Sequence, residues 1–420
     1  MKTKLNIAIV ALAATVTSCY DVLDKVPTDR YTDAVVWNDP ALLDMYLAEL
    51  YACTPVMVND ATCLYDSSPM NRDGNDWGTV MGYSEQMEGT VRMLEITDEA
   101  KYNFGAQAHM LDIKDNGFQV NSTQMQWWGN AYYTIRNLND FIERAAESSI
   151  SNVNERIAEA RFLRAFCYFA MVKRYGGVPL ITEVQSIDAD STALYPKRNT
   201  EKELYDFILK ETDEISEILP SATDAGRANK WAALALRSRA ALYAGSIAQF
   251  GSVQLDGLLG FPNGEASQYY QICYDASKKI MSESPYALYN ADADKVENFK
   301  NIFLKKGNCE AIMVKQHTGP SASDGGKNRW SWDMTECPRP NVWGVGNYHG
   351  PYLDMAEEFE YIDGTPGKID RASAKSRLWT MEELWGNKDP RFAASIWTNG
   401  TSWPDAVGGV LGENTIDMHN

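Results

Sequence analysis

Residues 162–172, FLRAFCYFAMV, are apolar almost all the way round a helix. A helix with no polar face has no side to turn towards water, so it belongs inside a core. It is the second half of a helical pattern running from about 152 to 175, and the rest of the chain offers faces to cover it. Asn38-Asp39-Pro40 caps and starts a helix, ALLDMYLAELY, that ends near Cys53. From about 125 to 148, a 3.6-residue period puts Trp128, Tyr132, Ile135, Leu138, Ile142 and Ala145 on one stripe. At 200–219, Thr200 and Glu203 make a capping box, Leu204, Ile208, Ile215 and Leu219 line one face, and Pro220 stops the helix. At 229–249, Asn229 is the cap, and Ala232, Ala235, Ser238 and Ala241 let a neighbouring helix come close. A further helix, about 266–283, carries Tyr270, Cys273, Ile280 and Met281, and Pro285 follows it.

These elements predict a mainly α fold: antiparallel helix pairs of tetratricopeptide type, stacked side by side. The sequence signature of that repeat is not intact. The helical frame is placed mainly at 38–285 and the loop-rich part mainly at 54–125 and 286–420. Loops this long without periodicity usually carry function, and their many Trp argue against disorder.

The N-terminus sets the compartment. Residues 1–18, MKTKLNIAIVALAATVTS, have a basic start at Lys2 and Lys4 and a mostly apolar stretch of twelve residues, Leu5 to Val16. That is shorter than the ~20 residues of a bilayer span, so it reads as an export signal. Small residues, Thr17 and Ser18, stand directly before Cys19, the acceptor pattern of a bacterial lipoprotein. Two or three acyl chains, at about 0.8 kcal/mol per buried CH₂, anchor a protein stably. Residues 19–420 are then read as one large domain on a membrane surface. The net charge of −18 repels phosphate backbones, and no basic run offsets it, so no nucleic-acid partner is expected. Six further cysteines show no CxxC spacing; Cys53 and Cys63 are the close pair, and Cys167 and Cys273 fall in apolar helical pattern as core thiols.

No catalytic, cofactor or metal motif emerges. There is no HExxH and no GxSxG, and the four His have no ligand spacing. NADADK at 290–295 begins like a calcium loop, but Lys295 stands where Gly is required and Asn301 where a bidentate Glu is required. Glu357, Glu358 and Glu360 read as a solvated helix end. What remains is a set of Trp residues among polar neighbours. A pyranose stacks its C–H face on an indole and turns its hydroxyls to amide, carboxylate and guanidinium groups. Two loops pair a ring with such groups: 70–78, with Arg72, Asp73, Asn75 and Trp77, and 328–332, with Asn328, Arg329, Trp330 and Trp332. Trp330 and Trp332 share one face of an extended segment. The plainer reading of each ring is a cap on the core beneath its loop. Trp343, Trp397 and Trp403 have similar surroundings.

ARFLRAFCYFAMVKRYGGVPLI at 160–181 resembles the hallmark segment of the SusD-like (RagB/SusD) family, surface glycan-binding lipoproteins of Bacteroidetes-type bacteria. Further pieces fall in that family's order. They are SCYDVLDKVPT at 18–28, VWNDPALLDMYLAELY at 36–51 and WWGNAYYTIRNLNDFI at 127–142. The helix pair 203–220 and 226–246 follows, then FEYIDGTPG at 359–367 and NKDPRFAASIW at 387–397. The resemblance implies tetratricopeptide-like helix pairs packed against a loop-rich ligand-binding half, and no enzymatic activity; no cofactor is expected. It implies an outer-membrane, cell-surface location, and a SusC-like TonB-dependent transporter over which the lipoprotein closes as a lid. Relatives continue well beyond the DPRF-like segment, whereas this chain ends at Asn420, so a truncated product is one expectation. In the hallmark, Phe162, Phe166 and Phe169 are read as core and Gly176-Gly177 as the helix end. Three readings of function follow: a glycan-binding uptake lipoprotein, a peptide- or glycoprotein-binding lipoprotein of the same family, and an exported all-α glycoside hydrolase.

Overall fold

The computed structural model describes residues 33–54, 97–102, 128–262, 264–314 and 349–402. Helix α1 (Pro40–Cys53) starts where the sequence places it: the Asp39 carboxylate accepts from the Ala41 and Leu42 amides, and Pro40 sits in the first turn. Leu43, Leu47 and Leu50 recur on one face and are fully buried. Helix α2 (Trp128–Ala145) buries Ala131, Ile135, Leu138, Phe141 and Ala145. Helix α3 (Val153–Tyr175) carries the all-apolar run, and nearly every residue from Ala158 to Val172 is buried. Of its phenylalanines, Phe162 and Phe169 are core and Phe166 is partly buried against it.

Helix α4 (Glu201–Ser216) has the capping box on Thr200 and Glu203, helix α5 (Lys230–Phe250) has Asn229 bonded to the Ala232 amide, and helix α6 (Ala266–Glu283) follows. Successive helices pack antiparallel. Trp128 meets Tyr175 while Asn139 meets Arg164; Phe169 meets Tyr205 while Arg161 meets Glu211 and Glu214. Between α5 and α6, Ser238 bonds Ser277, and a Cβ on Gly245 would lie 2.7 Å from the Tyr270 ring. Small residues on α5 therefore do admit a close neighbour. The frame is a series of antiparallel helix pairs around one core, the mainly α architecture expected.

Helix α1 is tied across the frame by charge. Arg156 grips Asp44 through two bonds, Arg227 grips Glu159, and the Tyr51 hydroxyl donates to Glu159 while accepting the Ala228 amide. The two loop-rich stretches meet in a two-stranded antiparallel ladder, β1 (Ala100–Tyr102) on β2 (His349–Pro351), with Lys101 opposite Gly350. Helix α7 (Lys295–Leu304) packs on helix α9 (Pro390–Ser395), and a short helix α8 (Leu353–Glu358) follows β2. The late segments fold onto each other: Phe392 stacks on Trp385 and meets Phe359 edge-on, and buried Lys388 donates to the Phe359 and Gly367 carbonyls.

Three expectations are corrected. Met281 is 83% exposed: α6 meets α5 through Tyr270, Cys273 and Ser277, and it buries Tyr269 and Ala276. Glu357 is not part of a solvated helix end: it is buried and paired with Arg371, and it also accepts the Ile369 amide. Trp128 is not core but sits partly exposed at the start of α2. Cys167 is buried and Cys273 partly so, while Cys309 is exposed. The Cys53–Cys63 pairing lies outside the described residues.

Candidate functional site

Cys19 and both predicted loops, 70–78 and 328–332, lie outside the described residues, as do Trp343 and Trp403. In the calcium-like segment, Asp294 caps α7, and Asp292 accepts from Asn301, Tyr289 and Lys305. Those carboxylates already have partners. Within the described residues, a cleft of about 490 Å³ opens between α2 and the segment that follows α3.

The wall of this cleft is built by the hallmark itself. Gly176 ends α3 with φ 66°, its amide donating to the Val172 carbonyl, in the left-handed region that glycine adopts freely. Gly177 follows so closely on the returning chain that a Cβ there would lie 2.0 Å from the Asn199 carbonyl. The chain then runs back along α2 as VPLITE and is pinned at nearly every residue. Tyr132 donates to the Pro179 carbonyl at 2.7 Å. The Tyr168 hydroxyl donates to the Ile181 carbonyl (2.8 Å) and accepts the Ile181 amide (2.7 Å). Asn139 donates to the carbonyls of Ile181 and Glu183, Arg164 to that of Thr182, and Glu143 accepts the Val184 amide. Burial pushes the Tyr168 and Tyr132 phenols well above their ordinary values, so both remain neutral donors at any physiological pH.

Behind this wall is a buried ionic cluster. Arg164 bonds Glu211 at 2.9 Å and donates to the Asn139 side-chain carboxamide oxygen at 2.9 Å; Arg161 holds the same Glu211 through two bonds and reaches Glu214. Burial works to raise the Glu211 carboxyl, but the bonds and charges of Arg161 and Arg164 outweigh it and hold the group below its ordinary value. The sequence reading took the hallmark for apolar scaffold and missed these roles. The available signal was Arg164 itself: a cation inside the otherwise apolar run 162–172 requires a buried partner.

The mouth of the cleft has the chemistry sought in the loops. Trp128 (38% exposed), Tyr133 (39%) and Tyr195 (81%) present rings there, over a floor that includes Tyr132, Ile135 and Ile181. Trp128 is steadied by ring contacts with Tyr132 and Tyr175, each 5.3 Å between centroids. Tyr195 follows a short helical turn, Ser191–Leu194, that Asp190 caps and that Gln185 ties down by donating to the Ala193 carbonyl. Arg136 donates to the Gln185 carbonyl at 3.2 Å. Glu183 and Gln185 line the same opening, and among the described residues neither side-chain oxygen accepts a hydrogen bond. Such a site can hold a ligand with one flat apolar face and a polar edge.

A series of antiparallel helix pairs that carries its open cleft beside the turn after its most buried helix is a helical-repeat scaffold of tetratricopeptide type. Two family models match this chain: one described as "Starch-binding associating with outer membrane" over residues 77–242, and the SusD family over residues 309–420. A SusD-like protein of Bacteroides ovatus is 27% identical over 240 residues, 56% of this chain and 38% of that relative. The crystal structure of a SusD-like protein from Bacteroides fragilis superposes with a TM-score of 0.67 at 24% identity, covering 94% of this chain and 67% of the other. A SusD-like carbohydrate-binding protein from the same species superposes with a TM-score of 0.61 at 20% identity, covering 88% and 61%. The chain belongs to the SusD-like family. The match spans well under half of the curated relative's own length.

Proposed function

We propose that this protein is a lipid-anchored outer-membrane protein of the cell surface that binds glycan without cleaving it. It then delivers the glycan to a SusC-like TonB-dependent transporter. The observation that carries this reading is the pair of family matches in chain order, 77–242 and 309–420, the first described as starch-binding and outer-membrane-associated. The export signal ending at Cys19 supports the anchor. Among the described residues, no helix is long and apolar enough to cross a membrane, so an acyl anchor accounts for membrane attachment without a span. The primary glycan contacts are assigned to Arg72, Asp73, Asn75 and Trp77, and to Asn328, Arg329, Trp330 and Trp332.

The test is calorimetry with a panel of oligosaccharides beside a thermal melt, on the wild type and on Trp77→Ala, Trp330→Ala and Trp332→Ala. A ring stacked on sugar gives about 1–3 kcal/mol, a ten- to hundredfold loss of affinity, with little change in melting temperature. Early melting with normal affinity in all three variants would show that these rings cap the core instead.

A further inference from the structure

We propose that the cleft between α2 and the pinned segment 179–196 is a second carbohydrate site, on the helical frame, which takes one or two neutral pyranose units of a glycan. None of its lining residues belongs to the loops 70–78 and 328–332, so it is a separate assignment. That the ligand is a carbohydrate, rather than another neutral molecule with a flat face, rests on the proposed function.

Four observations carry the assignment. The volume, about 490 Å³, lies within the range of roughly 300–1,000 Å³ of small-ligand pockets. Its rim holds Tyr195 at 81% exposure on a capped turn, beside the partly exposed rings of Trp128 and Tyr133. A monomer gains nothing in stability from a ring held that far out, whereas a ligand with an apolar face does gain from it. The wall is built in advance: Tyr132, Asn139, Arg164, Tyr168 and Glu143 fix the backbone from Pro179 to Val184. A fixed wall lowers the ordering cost of binding. Lastly, the polar edge mixes donors and acceptors. Arg136 spends one of its N–H groups on the Gln185 carbonyl, while Glu183 and Gln185 offer acceptor oxygens. Adjacent hydroxyls both donate and accept, so this edge fits a diol. The Glu183 carboxylate disfavours an anionic sugar or a phosphate in the same place.

The geometry makes Tyr195 the ring to remove. Its side chain makes no hydrogen bond among the described residues, so its loss leaves the fold intact. The full chain is prepared with Tyr195→Ala, with Arg136→Met, and with Trp77→Ala, Trp330→Ala and Trp332→Ala combined. The combined variant is also made carrying Tyr195→Ala. Saturation-transfer NMR and calorimetry are run with maltohexaose, cellohexaose, mannohexaose and xylohexaose, and with a set of neutral tripeptides as control. The expected result is that the loop variant retains weak saturation transfer from at least one oligosaccharide. Adding Tyr195→Ala should then lower the remaining affinity about tenfold or more, with an unchanged melting temperature.

The cleft assignment is overturned if Tyr195→Ala and Arg136→Met leave oligosaccharide binding within twofold in every background, while the loop variant alone abolishes it; the proposed function survives that result. It is equally overturned if Tyr195→Ala removes tripeptide binding and no oligosaccharide binds. Oligosaccharide binding lost with Tyr195→Ala but untouched by the loop changes supports the cleft and refutes the loop assignment.

Discussion

Replacing Glu211 by Gln should cost more stability than replacing Arg164 by Met, although the two groups form one buried pair. Glu211 accepts three bonds, two from Arg161 and one from Arg164. A carboxamide of the same shape removes the negative charge and turns one acceptor oxygen into a donor facing a guanidinium. Arg164 is then a buried cation with no counter-charge, since its other partners are the neutral oxygens of Asn139 and Thr182. Removing one partner of a buried pair costs about 3–5 kcal/mol when the remaining charge is left uncompensated. Arg164→Met is different. Glu211 keeps both bonds from Arg161, so no charge is orphaned; the losses are one bond each to Asn139 and Thr182 and one to Glu211. At about 1 kcal/mol per net bond, partly recovered by the buried thioether, the cost is about 1–3 kcal/mol. Urea unfolding followed by far-ultraviolet circular dichroism measures both, through the shift in midpoint at unchanged slope. Equal costs, or a larger cost for Arg164→Met, would refute the claim that Arg161 alone can neutralise Glu211.

Other outcomes follow from the same structure. The Asp44 carboxyl is held low by its bond to Arg156, Glu357 by its bond to Arg371, and Glu211 by its two arginines against burial. Their folded values lie below the ordinary ones, so their stabilisation is fully present above about pH 4.5 and is lost as pH falls through the folded values. Glu201, raised by burial, works the other way just above pH 4.5. Urea midpoints should therefore be flat from pH 7 to about 5.5 and fall steeply below pH 4; a midpoint that holds at pH 3 contradicts the ion-pair assignment. Gly177→Ala should lower stability by about 1–3 kcal/mol or more, because its Cβ meets backbone that cannot swing aside; an unchanged melt rules out the tight return of the chain. Cys19→Ala should move the protein from the membrane pellet to the soluble fraction; sedimentation with outer membranes at high salt refutes the anchor. Oligosaccharides incubated with pure protein should stay intact, and cleavage abolished by mutating a carboxylate pair would overturn the non-enzyme reading.

The helices were legible in the sequence because their determinants are local. Caps at Asp39, Thr200 and Asn229 act within three residues, and the apolar period in α1, α2 and α4 needs only the geometry of one helix. The all-apolar run of α3 announced its own burial for the same reason. Family membership was legible too, since it rests on segments read one after another. Long-range pairing was not. Arg164 finds Glu211 across 47 residues and Asn139 across 25, and Glu357 finds Arg371 only because the chain turns back between them. Met281 and Trp128 were misplaced because a stripe on a helix does not say which neighbour covers which part of it. The cleft likewise joins Trp128 and Tyr133 of α2 to Tyr195, more than sixty residues away. The sequence marked aromatic rings with polar neighbours wherever they were adjacent in the chain. Only the tertiary fold, which returns the segment after Gly177 along α2, could bring together rings and polar groups that no local pattern connects.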